Sequence, residues 1–171
     1  MCPRRAREDK EGARPDIVAA YSEAVAATAP EAMVIVGTDR SAVNDPDSFS
    51  FNADVAADLA SPVFLAVCAI DRTPEQVKAT VDACTAIVAK ACTTVLGVFV
   101  TGCPDDQADA VKAAVAGDVP VWTVPAVEFS DASGAQAAAA VFDEHVPADE
   151  DRKSTRLNSS HGYRSRMPSS A

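Results

Sequence analysis

Glycine, histidine and tryptophan are scarce in this sequence. The 171 residues include seven glycines, two histidines and one tryptophan. The glycines are spaced so that neither a GxGxxG loop nor a GxxxxGK loop followed by Ser or Thr occurs, which excludes the usual phosphate-binding loops. A zinc site would be short of ligands. His145 falls in the last turn of a predicted helix, where we interpret it as a helix-end residue and not as the base of a triad. The sequence therefore predicts no catalytic residue.

Long apolar runs are also missing. The two longest, "PVFLAVCAI" and "TTVLGVFVT", are far shorter than the roughly 20 residues of a membrane helix. The amino end lacks the apolar core of a signal peptide, so we expect a cytoplasmic protein with no membrane partner. The five cysteines are an odd number without CxxC spacing, which favours buried free thiols over disulfides or metal ligands.

Basic residues are few outside the last 21 positions. Five of the 15 Lys and Arg, but only one of the 25 Asp and Glu, lie in residues 151–171. The rest of the chain is strongly acidic and would repel phosphate backbones, so we expect no nucleic-acid partner.

The basic tail has a separate origin. Residues 151–161, "DRKSTRLNSSH", match the translation of a common short-read sequencing adapter, and residues 165–171 match its continuation. A basic arm that binds nucleic acid or membranes is the alternative. Because the tail has little to bury, we predict that it is disordered. The predicted organisation is a polar segment at 1–13, an α/β domain at 14–147 and a disordered tail at 148–171, of which 151–171 is artefactual.

The body alternates between amphipathic segments and short continuous apolar runs. This alternation predicts an α/β fold with a parallel sheet of about four strands, helices on both faces and a Rossmann-like three-layer architecture. The predicted strands are 32–37, 63–70, 95–100 and 119–125, and the predicted helices are 14–30, 50–62, 73–92, 104–120 and 133–146. Within the third helix, Thr73 and Gln76 form a capping box and Pro74 takes the first helical position.

Polar residues follow the predicted strands, where parallel sheets place their ligands. Asp39, Asp71, Asp105 and Asp106 should lie at the same edge of the sheet. With Thr38 they could hold Mg²⁺, but we interpret them as caps and turn residues and predict no metal site.

One stretch, "VIVGTDRSAVNDPDSFSFNADVAADLASPVFLAV", resembles the amino-terminal domain of bacterial phosphate acetyltransferases. In that family a strand ends in a Gly-Thr-Asp turn, an FN-containing helix follows, and a Pro-Val pair opens the next strand. The matching positions here are Gly37, Thr38, Asp39, Phe51, Asn52, Val55, Ala56, Leu59, Ser61, Pro62 and Val63.

The resemblance implies a domain related to the dethiobiotin synthetase-like P-loop ATPases. In the family this domain is regulatory or structural, and a separate carboxy-terminal domain transfers acetyl between coenzyme A and phosphate. It implies no cofactor in this chain, coenzyme A or acetyl-CoA in the parent enzyme, and homo-oligomer formation through that enzyme. Gly37, Thr38 and Asp39 are the implied cofactor-binding turn.

The chain departs from the family in two ways. It lacks the family's first strand with its P-loop-like turn, and no acetyltransferase domain follows Glu150. The resemblance therefore indicates an inactive fragment. One alternative is a truncated dethiobiotin synthetase-like P-loop ATPase, although such ATPases have an Asn after the third strand, where this chain has Thr101, Gly102 and Cys103. The other is a non-enzymatic nucleotide-sensing or oligomerisation module.

Overall fold

The computed structural model describes residues 9–37, 48–127 and 132–147, and within these ranges helices alternate with strands of a parallel sheet. Thr38, Asp39, Cys2 and the predicted tail lie outside the described residues. The elements are α1 (Lys10–Thr28), α2 (Ser48–Asp58), β1 (Val63–Cys68), α3 (Pro74–Lys90), β2 (Val95–Thr101), a 3₁₀ turn (Asp105–Gln107), α4 (Ala108–Val115), β3 (Val121–Val124) and α5 (Ala132–His145). None of these helices is both long and apolar enough to cross a membrane.

Helix α1 begins four residues before the predicted start. The Asp9 carboxylate accepts a hydrogen bond from the Gly12 N–H at 2.9 Å and caps the helix there. Pro15 therefore lies inside the helix and not in its first turn. Part of the segment predicted to be a polar extension, residues 1–13, is thus helical, because an aspartate cap extends the helix beyond the apolar pattern.

An ion pair ties α1 to α2. The Arg14 guanidinium binds the Asp58 carboxylate through two bonds, Nε to Oδ2 and Nη2 to Oδ1, each 2.6 Å long. The hydrogen bond from Arg14 is the largest cause that lowers the pKa of the Asp58 carboxyl. This bidentate ion pair fixes the position of α1 relative to α2.

The apolar segment 32–37, predicted as the first strand, is not part of the sheet. Its residues pair with no described strand, and the exposed fractions of Val34 and Val36 are 88% and 89%. The described residues contain three strands, so the expected fourth strand is not confirmed. A β-strand forms only where its backbone N–H and C=O groups can bond to a neighbouring strand. The apolar composition of a segment does not show whether such a neighbour is present.

Helix α3 agrees with its sequence pattern. Thr73 and Gln76 form the capping box in both directions, and Pro74 is the first helical residue. Its buried stripe packs on one face of the sheet, next to α4. The core formed there comprises Leu65, Val67, Val77, Val81, Cys84, Val88, Val98, Val100, Val111 and Val115.

The strands are parallel and lie in the order β1, β2, β3. Leu65 pairs with Val98, so both side chains face α3 and α4. Phe99 pairs with Trp122 on the opposite face. There the Phe99 ring meets the Phe142 ring of α5, with centroids 5.4 Å apart. Helices therefore pack on both faces of the three-stranded sheet.

Strand β1 has an open outer edge. The Val63 and Ala69 N–H groups donate to Thr94 and Thr101 carbonyls at 2.8 Å, so the odd-numbered residues of β1 bond towards β2. In a parallel ladder alternate residues bond to alternate sides, which turns the backbone groups of Phe64 and Ala66 outwards. No described strand receives them.

Candidate functional site at the carboxyl edge of the sheet

The turns after β1 and β2 lie against each other at the carboxyl edge of the sheet. Gly102 has φ of 66°, a conformation that favours glycine. A Cβ atom on Gly102 would lie 2.5 Å from Cγ1 of Ile70. The two turns are thus in direct apolar contact where the sequence suggested a ligand site.

Arg72 supports the first of these turns. Its Nη1 donates to the Cys68 carbonyl at 3.1 Å, and its Nη2 donates to the Gln76 carbonyl at 2.7 Å. The same Nη2 also contacts the Thr80 hydroxyl. This guanidinium joins the end of β1 to the first turns of α3, so its role in the structure is to hold the turn.

Cys103, after β2, is buried, and its thiol contacts the Pro104 carbonyl at 3.6 Å. Burial, with the neighbouring Asp105 carboxylate as the second cause, raises the pKa of the Cys103 thiol. The thiol is therefore protonated near neutral pH, and a protonated thiol is a poor nucleophile.

The acidic residues predicted at this edge are exposed. Asp71 occupies the turn after β1 with φ of 56°, and Asp105 and Asp106 begin the 3₁₀ turn after β2. In the part of the chain that the structure describes, no group of three or more His, Cys, Asp or Glu side chains could hold a metal ion. Asp71, Asp105 and Asp106 thus occupy the positions of turn and helix-start residues.

Gly37, the described member of the predicted cofactor-binding turn, lies against α2. A Cβ atom on Gly37 would be 3.0 Å from Nδ2 of Asn52. The structure therefore brings together Gly37 and Asn52 of the sequence pattern. The other two predicted residues, Thr38 and Asp39, are outside the described ranges.

Cysteine burial was only partly predicted. Cys84 and Cys103 are buried, but Cys68 and Cys92 are exposed, and all four are free thiols. The expectation of burial was wrong for Cys68 because it lies on the face of the sheet opposite α3, and for Cys92 because it follows the end of α3.

An aromatic cluster on the second face of the sheet was missed by sequence reasoning. The Phe99 and Trp122 rings stack with centroids 4.9 Å apart, and Phe64 completes the row at 5.6 Å from Phe99. Phe64 is 52% exposed and Phe142 is 40% exposed. The sequence signal for this cluster is Gly97, a glycine in the middle of β2. Its absent side chain makes room for Trp122, whose Cζ3 lies 2.5 Å from the position that a Cβ on Gly97 would take.

The fold and these contacts define a small α/β domain with packed loops at one edge of its sheet and an aromatic cluster on one face. No protein-family model matches this chain. No solved structure matches it significantly.

Proposed function

We propose that this chain is part of the non-catalytic amino-terminal domain of a phosphate acetyltransferase. In the parent enzyme this domain is regulatory or structural, and acetyl transfer between acetyl-CoA and phosphate takes place in another domain. The proposal implies a cytoplasmic protein, which agrees with the free thiols at Cys68 and Cys92.

The open outer edge of β1 is the observation that carries the proposal. Strand edges in complete domains are covered, short or protected by charge or proline. The sequence of β1, "VFLAVC", has neither charge nor proline, and no described strand pairs with its outer edge. Such an edge fits a parallel sheet that lacks a strand, as the family resemblance implies.

The contact between Gly37 and Asn52 is a second support. In the sequence pattern these residues belong to the end of one strand and to the helix that leads to the next. Their proximity fits a strand–helix–strand unit in which 32–37 is a strand of the complete P-loop-type sheet. Four strands and a three-layer architecture would then belong to the parent domain.

The test has a biochemical and a genetic part. The purified chain, incubated with acetyl-CoA and phosphate, should form no acetyl phosphate, while an intact phosphate acetyltransferase in the same assay does. In an assembly free of adapter sequence, the reading frame should continue past codon 150 into an acetyltransferase domain. Turnover by the chain, or a natural stop near Glu150, would contradict the proposal.

The same open edge also fits a piece of a dethiobiotin synthetase-like ATPase or a nucleotide-sensing module. A GxxxxGK loop encoded upstream of Met1 would favour the ATPase. Calorimetric titration with ATP, ADP and NADH would detect nucleotide sensing, whereas the fragment of a phosphate acetyltransferase should release no binding heat with any of the three.

A further inference from the structure

We propose that two copies of this chain associate reciprocally, with segment 32–37 of each copy added as a strand to the outer edge of β1 in the other. The inference goes beyond the proposed function and does not depend on it. It identifies an interaction surface and commits to its occupant, which is a second copy of the same chain.

The receiving surface is the β1 edge. The backbone N–H and C=O groups of Phe64 and Ala66 face outwards, away from β2. The Cys68 carbonyl, at the end of the strand, is already bound by Arg72. The groups that no described residue binds are therefore confined to Phe64 and Ala66 in an uncharged strand, which is the arrangement that recruits another extended chain.

The segment that would bind is equally unusual. Residues 32–37, "AMVIVG", contain no charge and no proline, and no backbone hydrogen bond in the described ranges involves them. The side chains of Val34 and Val36 are almost fully exposed. An apolar segment whose backbone groups have no partner among the described residues gains both hydrogen bonds and apolar burial when it joins a sheet edge.

A second copy of the chain is the favoured partner because it supplies a strand for the β1 edge and a strand edge for segment 32–37. Within the described residues every molecule carries one open strand edge and one apolar segment without a backbone partner, so two copies satisfy both without any other component. A two-fold arrangement uses each contact twice and closes the assembly as a dimer. The formal net charge of −10 opposes the encounter, so salt should strengthen association by screening this repulsion.

The segment is tested by sedimentation equilibrium on the full 171-residue chain over a series of concentrations. The wild-type chain should dimerise, and Val34→Lys/Val36→Lys should raise the dimer Kd by at least about tenfold. Ala83→Lys/Ala86→Lys is the matched control, because it adds the same charge at exposed positions of α3. Its Kd should stay within about twofold of wild type.

The edge is tested by Ala66→Pro. The Ala66 N–H faces away from β2, so proline removes no hydrogen bond of the sheet and leaves the fold intact, as circular dichroism would verify. We expect this variant also to raise the dimer Kd by at least about tenfold. A monomeric wild-type chain at every concentration would overturn the proposal. So would a dimer that either the lysine pair in 32–37 or the proline in β1 leaves unaffected.

Discussion

Gly97→Ala is the substitution whose cost is most clearly defined by the structure. The added Cβ would lie 2.5 Å from Cζ3 and 3.0 Å from Cη2 of Trp122, and 3.3 Å from Cε1 of Phe64. Non-bonded carbon atoms normally lie about 3.5 to 4.0 Å apart, so the indole ring of Trp122 must move away by about 1 Å. Phe99 stacks against that ring, so this movement disturbs the whole aromatic cluster.

The magnitude follows from two opposing effects. Overpacking of this kind costs about 1–3 kcal/mol, whereas alanine gains about 0.5–1 kcal/mol over glycine in a strand. We therefore expect Gly97→Ala to lower the free energy of unfolding by about 1–2 kcal/mol. Urea denaturation followed by circular dichroism measures this. Trp122 is the only tryptophan, so its fluorescence reports the change in its surroundings directly.

A double-mutant cycle separates the clash from other effects. In the Trp122→Ala background the clash with the indole is gone and only the 3.3 Å contact with Cε1 of Phe64 remains, so Gly97→Ala should there cost little or nothing. Gly117→Ala is the control, because a Cβ on Gly117 meets only the Val115 carbonyl oxygen at 3.8 Å. Its effect should stay below about 0.5 kcal/mol. An equal cost of Gly97→Ala with and without the indole would refute the packing argument.

Three further substitutions test other parts of the fold. Arg14→Gln should cost no more than about 1 kcal/mol at neutral pH, because the pair is partly exposed. Folding lowers the pKa of Asp58, so the ion pair stabilises the fold above the unfolded pKa near 4. This contribution disappears as the pH falls through the folded pKa. The urea midpoints of the variant and the wild type should therefore converge in acid. Thr73→Ala removes the capping box and should cost about 1 kcal/mol in urea denaturation. Val77→Ala, at a fully buried site, should lower the thermal midpoint and cost about 2 kcal/mol, whereas Val34→Ala should change little at concentrations where the chain is monomeric.

The elements that the sequence predicted are those whose signals are local. The capping box of Thr73 and Gln76 and the apolar spacing of α3 are contained within a single helix, and the structure confirms both. Strands β1 and β2 were marked by continuous apolar runs. Segment 32–37 carries the same kind of run, yet it pairs with no described strand. Pairing depends on which neighbour is present, and composition contains no such information.

The candidate site was predictable in position but not in its contacts. The order of strands and turns placed Asp71 and Asp105 at the carboxyl edge, as observed. The contact of Ile70 with Gly102, and the stacking of Phe99 on Trp122, depend on strand register and on a ladder between segments far apart in the chain. Register is set by the whole core, so these contacts required the three-dimensional structure.

Amide hydrogen exchange in β1, resolved residue by residue, tests most directly whether this strand is paired on one side only. In the Val34→Lys/Val36→Lys variant, at concentrations where it is monomeric, the Leu65 and Val67 amides should exchange slowly because they bond to β2. The Phe64 and Ala66 amides should exchange quickly, and they should become protected in the wild-type chain as its concentration rises. Protection of all four amides in the monomeric variant would contradict the account.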